Sequence, residues 1–261
     1  DLVRSRGLGD VYKRQAYQDG AKLNAIVNYI SNDVLHAKNN NIYYDKTIEL
    51  MDYDTAKNRL FVRLINYGRN ADILKNVVYK TFGDIAFTVC AIVDENEYGI
   101  VSTKILKFMV KKWGKNENDI FNEAIKNTYY LTPPRIYKWE GVLCDESYAG
   151  ESFMNDEDIC DLDKSFSGNT LSTTRKTNGA IAVFLPGVAE KISELLDSDF
   201  YMVFTSIHEV MIHSTGSGVD PKDLKLILQD TLREVTPSSD YLTEKIYKYN
   251  RRTHKFECVT D

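Results

Sequence analysis

A chain of 261 residues, 43% hydrophobic and 27% charged, has ordinary globular composition and the length of one large domain or two small ones. Its formal net charge of -5 argues against nucleic acid or an anionic membrane surface as the main partner. No apolar run approaches the roughly 18 residues of a membrane span, so we predict no membrane partner. From the charge we predict no nucleic-acid partner. The partner is unknown, and a protein is one candidate.

Residues 1–15 are predicted not to be native. Their sequence, DLVRSRGLGDVYKRQ, lacks an amphipathic period and resembles translated sequencing-adapter DNA at the end of a metagenomic reading frame. The alternative is a basic N-terminal arm. If the segment is an artefact, the native N-terminus is missing, the first part of the fold is truncated, and a targeting signal would not be visible. The predicted location is the cytoplasm.

The first half of the chain predicts a helix followed by a strand hairpin. Apolar residues recur at three- and four-residue steps over 17–36, which favours a helix. A strand is expected over 60–65, and the nearly continuous apolar run 84–94 predicts a buried strand. The turn-rich segment 95–99 then returns the chain as a second strand, so we predict a hairpin.

A second helix is predicted after Gly114, with Asn116 or Asn118 as its cap and Pro133 after its end. The segment 144–166 that follows is acidic and has little apolar periodicity, so we predict a linker or long loop. A calcium-binding loop is the alternative, but the EF-hand spacing is absent.

Past the acidic segment, strands over 169–174 and 179–185 are predicted to flank the turn signal Asn178-Gly179. The remaining elements, in chain order, are a helix over 188–196, strands over 199–204 and 207–213, a helix opened by Asp220 and Pro221, and a closing hairpin over 244–259.

This order predicts an α+β fold with antiparallel or mixed sheets built from hairpins and packed helices. The first part covers 16–143 and the second part covers 167–261. A weak echo between 84–130 and 200–234, each strand, strand and helix, raises the alternative of two similar sub-units.

The stretch SIHEVMIH, residues 206–213, invites comparison with the zinc-protease string H-E-x-x-H. Here His208 and His213 are five residues apart, which on a helix separates them by about 140°. The intervening residues favour a strand, where an odd spacing sends the two rings to opposite faces. We therefore predict no metal site.

The candidate catalytic residues are His208 as a general base, Glu209 as its electrostatic partner, and Ser206. The alternative is turn chemistry, in which these side chains satisfy backbone groups. Four cysteines at 90, 144, 160 and 258 form no C-x-x-C pair and are predicted to be reduced thiols. The turn PGVAEK lacks both glycine-rich phosphate-binding spacings, so we predict no cofactor.

Three strings resemble one family: RLFVRLINYGRNADILKNVVYKTFGDIAFTVCAIVDE, NGAIAVFLPGVAEKISELLDSDFYMVFTSIHEV and IYKYNRR. The chain resembles, from about Ala16 to Cys258, an uncharacterised bacterial family of gut Firmicutes, DUF5688. The resemblance implies a further N-terminal segment in family members. The family's S-I-H-E-V string corresponds to Ser206–Val210, whereas His213 lies where the pattern is usually apolar. The resemblance implies no catalytic or binding residues, because none are assigned in the family.

These observations support two hypotheses for the function. The preferred hypothesis is a soluble, non-catalytic binding or interaction module, favoured by the lack of a catalytic constellation, the acidic segment and seventeen tyrosines that could form a binding surface. Half-buried strand and helix positions explain most of the tyrosines more simply. The second hypothesis is a hydrolase that uses His208 as its base.

Overall fold

The computed structural model describes residues 3–4, 42–96, 99–138, 141 and 147–260. The predicted helix over 17–36 and Cys144 lie outside the described residues. The chain divides into two compact units. The first comprises Asp1–Phe61, Asn76–Val78 and Val89–Ala124, and the second comprises Val62–Lys75, Tyr79–Thr88 and Ile125–Asp261.

The α-helices in the described residues are α1 (Ile42–Glu49), α2 (Tyr53–Ala56), α3 (Ala71–Leu74), α4 (Lys107–Lys112), α5 (Glu117–Leu131), α6 (Val188–Leu196) and α7 (Pro221–Glu234). The strands are β1 (Val3–Arg4), β2 (Leu60–Asn66), β3 (Tyr79–Phe82), β4 (Ile85–Asn96), β5 (Gly99–Lys104), β6 (Pro134–Tyr137), β7 (Asn169–Thr173), β8 (Phe200–Val203), β9 (Val210–Ser214), β10 (Tyr247–Asn250) and β11 (Lys255–Cys258). Short 3-10 helices cover Lys57–Arg59, Gly68–Asn70, Gly179–Phe184 and Thr215–Ser217.

The strands form two sheets. One has five strands in the order β1-β5-β4-β2, with β3 also paired to β4, and the other has six in the order β11-β10-β8-β9-β7-β6. Every pairing with a defined register is antiparallel. The α+β prediction is therefore confirmed, with sheets built from hairpins. None of the described helices is long and apolar enough to cross a membrane.

Elements with local start and stop signals lie close to their predicted positions. The Asn116 side chain accepts a hydrogen bond from the Asp119 amide at 3.0 Å and so caps α5. Asp220 caps α7 by accepting from the Lys222 amide at 2.8 Å, with proline at the first helical position. The hairpins β4–β5 and β10–β11 are both present.

The predicted strand over 179–185 is wrong, because Gly179–Phe184 forms a buried 3-10 helix. Asn178 adopts the left-handed conformation, with φ 54°, and the Ala180 amide donates to the Ile207 carbonyl at 3.2 Å instead of entering a ladder. A short apolar run cannot by itself distinguish a buried strand from a buried helical turn.

The six-stranded sheet is covered on both faces. Val203 and Ile246 pack against Leu224 and Leu228 of α7 on one face. Side chains alternate along a strand, so Met202 points to the other face. That face carries an aromatic cluster formed by Phe82, Phe184, Phe204, Tyr247, Tyr249 and Phe256.

The described part of the acidic segment is a packed loop. Glu151 exchanges two backbone hydrogen bonds with Ile136 of β6, at 2.7 and 3.1 Å. Phe153, Cys160 and Leu162 are buried. The loop is therefore held by backbone bonds and apolar anchors of the second unit despite its charge.

The predicted division into 16–143, 144–166 and 167–261 stays a prediction, as do two others. The first is the non-native origin of residues 1–15, within which Val3–Arg4 pairs with β5. The second is the pair of similar sub-units. The strand pairs β4–β5 and β8–β9 are each followed by a long helix, but α4 intervenes only in the first case.

Candidate functional site

His208 lies in a loop, not in a strand. The predicted strand over 207–213 starts too early, since β9 begins at Val210. The Ile207 amide donates to the Asp240 carbonyl at 2.8 Å, and the Ile207 carbonyl accepts from the Ala180 amide. These bonds replace ladder bonds to β8, so the chain at Ile207 leaves the sheet.

Both ring nitrogens of His208 face protein groups. Nδ1 accepts a hydrogen bond from the Asn178 amide at 3.0 Å. Nε2 lies 3.4 Å from an Asp240 carboxylate oxygen. The tautomer that satisfies both contacts carries its proton on Nε2, which then points at the carboxylate. The ring therefore links the turn at Asn178 to the segment at Asp240.

The His208 backbone is held by a hydrogen bond and by close packing against Gly179. The Ser172 hydroxyl donates to the His208 carbonyl at 2.8 Å. A Cβ added at Gly179 would lie 2.7 Å from that carbonyl oxygen and 2.8 Å from the Thr173 amide nitrogen, with the Ser172 hydroxyl closer still. Only glycine fits at this position. The sequence signalled the Asn178-Gly179 turn, but nothing in it pointed to Ser172.

The other two candidate residues also serve the loop. The Ser206 hydroxyl accepts from the His208 amide at 3.0 Å. A Glu209 carboxylate oxygen accepts from the Thr205 hydroxyl at 2.9 Å. Ser206, His208 and Glu209 thus each engage a different group.

A general base needs a free lone pair that faces its substrate. The lone pair of neutral His208 is on Nδ1 and is occupied by the Asn178 amide. The pairing with Asp240 is the kind that orients a catalytic histidine, but the nitrogen that would act on a substrate is engaged. In this arrangement, the contacts of the His208 ring hold the loop in place.

His213 belongs to a separate environment. It lies in β9 opposite Tyr201, is buried, and its Nδ1 lies 3.1 Å from the Phe166 carbonyl. Burial lowers the pKa of His213 below its ordinary value, because the charged ring would lose hydration. His208 lies outside β9, so the two histidines are not placed on opposite faces of one strand as predicted. The two rings nevertheless contact different segments. Within the described ranges, no three His, Cys, Asp or Glu side chains converge as a metal site would need.

The described cysteines form no disulfide with one another. Cys90 and Cys160 are buried, and Cys258 is exposed. Burial, together with the neighbouring Glu151 carboxylate, raises the pKa of Cys160 to about 11. A thiol with that pKa is almost wholly protonated at neutral pH and is a poor nucleophile.

The second unit also contains a half-buried carboxylate, Asp84, whose partners no sequence pattern indicated. Asp84 accepts from the Tyr247 hydroxyl at 2.6 Å and from the Thr243 hydroxyl at 2.8 and 2.9 Å. Tyr247 and Thr243 are fully buried. Burial raises the pKa of Tyr247, and the bond to Asp84 adds to the effect. These hydrogen bonds connect the β3–β4 turn to the start of β10 and to the segment before it. No sequence motif predicts them.

In the part of the chain that the structure describes, most tyrosines occupy interior or half-buried positions, as the simpler explanation predicts, and do not form a binding surface. Of the tyrosine side chains described, Tyr67 and Tyr130 are exposed, and the others are buried or half-buried. Strand and helix positions in the interior explain most of them, because aromatic rings suit half-buried sites.

Comparison with known proteins gives one finding. A family model described as a family of unknown function, DUF5688, matches residues 7–251. No curated protein and no solved structure gives a significant match.

Proposed function

We propose that this chain, which belongs to the family of unknown function DUF5688, is a non-catalytic interaction module that binds another protein through the outer face of α7. The observation that carries the proposal is a pair of adjacent, large aliphatic side chains that are exposed on this helix. Leu226 and Ile227 are 61% and 62% exposed.

The exposure of Leu226 follows from the packing of α7. Leu224 and Leu228 are buried against the six-stranded sheet. A helix turns about 100° per residue, so Leu226 lies about 200° from each of them and projects away from the sheet. The inner face of α7 already has its partner, and Leu226 and Ile227 remain available to a second molecule.

Burial of these side chains could supply useful affinity. Fully burying an aliphatic side chain is worth about 1.5–3 kcal/mol, so a pair is worth about two to four powers of ten in a dissociation constant. The charges along α7 balance, which supports a protein partner over a nucleic acid. They are Lys222, Lys225 and Arg233 against Asp223, Asp230 and Glu234.

The geometry around His208 supports a non-catalytic role. Its ring nitrogens face Asn178 and Asp240, and the side chains of Ser206 and Glu209 are engaged within the loop. A base and a nucleophile at hydrogen-bond distance would be needed for acyl transfer. We also propose a cytoplasmic location, supported by the free thiols among the described residues.

The test compares partner capture by three forms of the full chain in an extract of the source organism. Leu226→Asp with Ile227→Asp should reduce capture of a specific protein by about tenfold or more. The matched control is Tyr130→Asp, which adds a charge at a side chain that is 79% exposed on a different helix. Equal capture by the α7 variant and the control would contradict the proposal.

The second candidate is a hydrolase with His208 as base, favoured by the 3.4 Å approach of Asp240 to Nε2. It requires the Asn178 amide to release Nδ1 when substrate binds. Turnover of an ester or amide panel that is lost in His208→Ala, while α7 captures no partner, would favour the hydrolase.

A further inference from the structure

The two edges of the six-stranded sheet differ. At one edge, β6 begins with Pro134 and is covered by Glu151, which exchanges backbone hydrogen bonds with Ile136. At the other edge, β11 has β10 as its single strand neighbour among the described residues. Proteins usually cover or interrupt a sheet edge, because unpaired backbone groups recruit further strands. Here the acidic loop covers one edge, and no described strand pairs with the outer side of β11.

The phase of the β10–β11 ladder determines which backbone groups of β11 face outward. Glu257 is paired with Lys248, and the Val259 amide donates to the Ile246 carbonyl at 2.9 Å. Hydrogen-bonded and non-hydrogen-bonded pairs alternate in an antiparallel ladder. The backbone groups of Lys255 and Glu257 therefore point to β10, and those of Phe256 point outward.

The charged side chains of β11 can pair with those of a second, antiparallel copy of the same strand. Lys255 and Glu257 are exposed, have opposite signs, and lie on the same face because they are two residues apart. Phe256 between them turns to the aromatic cluster, with its ring centre 5.0 Å from that of Phe184 and 5.1 Å from that of Tyr249.

We propose that β11 pairs with β11 of a second copy of this chain, antiparallel and centred on Phe256, to join two six-stranded sheets. The outward N–H and C=O of the two Phe256 residues then bond to each other. Lys255 of each copy lies opposite Glu257 of the other, in a pair without backbone hydrogen bonds, where side chains approach most closely.

The charges also select the register. A two-fold axis through Glu257 would oppose two carboxylates, and an axis through Lys255 would oppose two ammonium groups. Like charges directly opposite each other are unfavourable. A strand of four residues buries little surface, so the dimer is weak and forms as concentration rises. The pairing through β11 does not involve the α7 surface.

The experiment is sedimentation of the full chain over a concentration series, with a thiol reductant present to exclude a disulfide through Cys258. The wild type should pass from monomer to dimer. Glu257→Lys, which opposes like charges twice, should raise the dissociation constant about tenfold or more. Both variants lose the 3.7 Å ion pair between Glu257 and Lys248 of the same chain. The double variant Lys255→Glu with Glu257→Lys restores opposite signs between the copies and should therefore return the constant to within about threefold of the wild type.

A backbone variant tests the pairing without charge. Cys258→Pro removes an outward-facing N–H and should weaken the dimer, whereas Cys258→Ala retains that group and should not. Hydrogen exchange gives a readout that needs no variant, since the Phe256 amide should become protected as concentration rises. Leu226→Asp with Ile227→Asp should leave the dimer unchanged, so failure of this inference is distinguishable from failure of the proposed function.

Three results of the sedimentation experiment would overturn the inference. They are a wild type that stays monomeric throughout the series, a dimer indifferent to the charge reversals, and a double variant as weak as Glu257→Lys alone. Protection of the Phe256 amide only on addition of a different protein would also overturn it, because the edge would then serve another partner.

Discussion

Gly179→Ala tests whether the His208 loop is locked as the structure describes. The added methyl group would lie 2.7 Å from the His208 carbonyl oxygen and 2.8 Å from the Thr173 amide nitrogen. Both are backbone atoms, so rotation of the Ser172 side chain alone cannot relieve the contact. Overpacking of this kind costs about 1–3 kcal/mol, and displacing the Ser172 hydroxyl loses a hydrogen bond worth about 1 kcal/mol.

Alanine also restricts the unfolded chain, which returns about 0.4–1 kcal/mol to the folded state. The net expectation is a loss of about 2 kcal/mol in the free energy of unfolding. Urea unfolding measures it as a lower midpoint at constant slope. Exchange of the Asn178 amide, which donates to the His208 ring, should accelerate in the same variant.

Gly68→Ala is the matched control. A Cβ at Gly68 would meet one atom within 4 Å, the Asn66 side-chain oxygen at 3.5 Å, which is ordinary contact. Its stability should be unchanged or slightly higher. If Gly179→Ala proves as mild as Gly68→Ala, the packing argument for the loop is refuted.

Three further predictions concern single side chains. Tyr247→Phe keeps the ring but removes the hydroxyl that donates to Asp84 at 2.6 Å, so urea unfolding should show a loss of about 2 kcal/mol; a loss below about 0.5 kcal/mol would contradict it. Burial lowers the pKa of His213 from 6.5, so the unfolded state binds more protons just below that pH. Stability should therefore fall as the pH drops through about 6.5, and His213→Gln should flatten that fall; an unaltered pH profile would contradict this. Iodoacetamide at neutral pH should modify exposed Cys258 in the folded protein and buried Cys160, with a pKa of about 11, only after unfolding, as peptide mass mapping would show.

The confirmed sequence predictions rest on interactions between residues close together in the sequence. Asn116 and Asp220 cap helices through atoms two or three residues away, so the signal and the structure occupy the same window. The hairpins β4–β5 and β10–β11 were predicted because turn-rich residues separate two strand-like runs. The α+β architecture followed from the order of these elements.

The elements that were predicted wrongly depend on contacts between residues that are far apart in the sequence. Ile207 lies outside β9 because its amide donates to the Asp240 carbonyl and its carbonyl accepts from the Ala180 amide. His208 could be named as a candidate from its type and neighbours, but its function in the loop depends on Asn178 and Asp240. Periodicity describes one segment at a time and contains no information about such partners.

The Asp84–Tyr247 bond has a consequence for how the protein is made, because it joins residues separated by 163 positions. During translation, the turn that carries Asp84 leaves the ribosome long before its hydroxyl donors do. Until the segment with Thr243 and Tyr247 emerges, that carboxylate must remain hydrated and the turn only loosely held. The second unit should therefore reach its native packing late in synthesis, and ribosome-bound intermediates that stop short of Thr243 should remain sensitive to protease around β3.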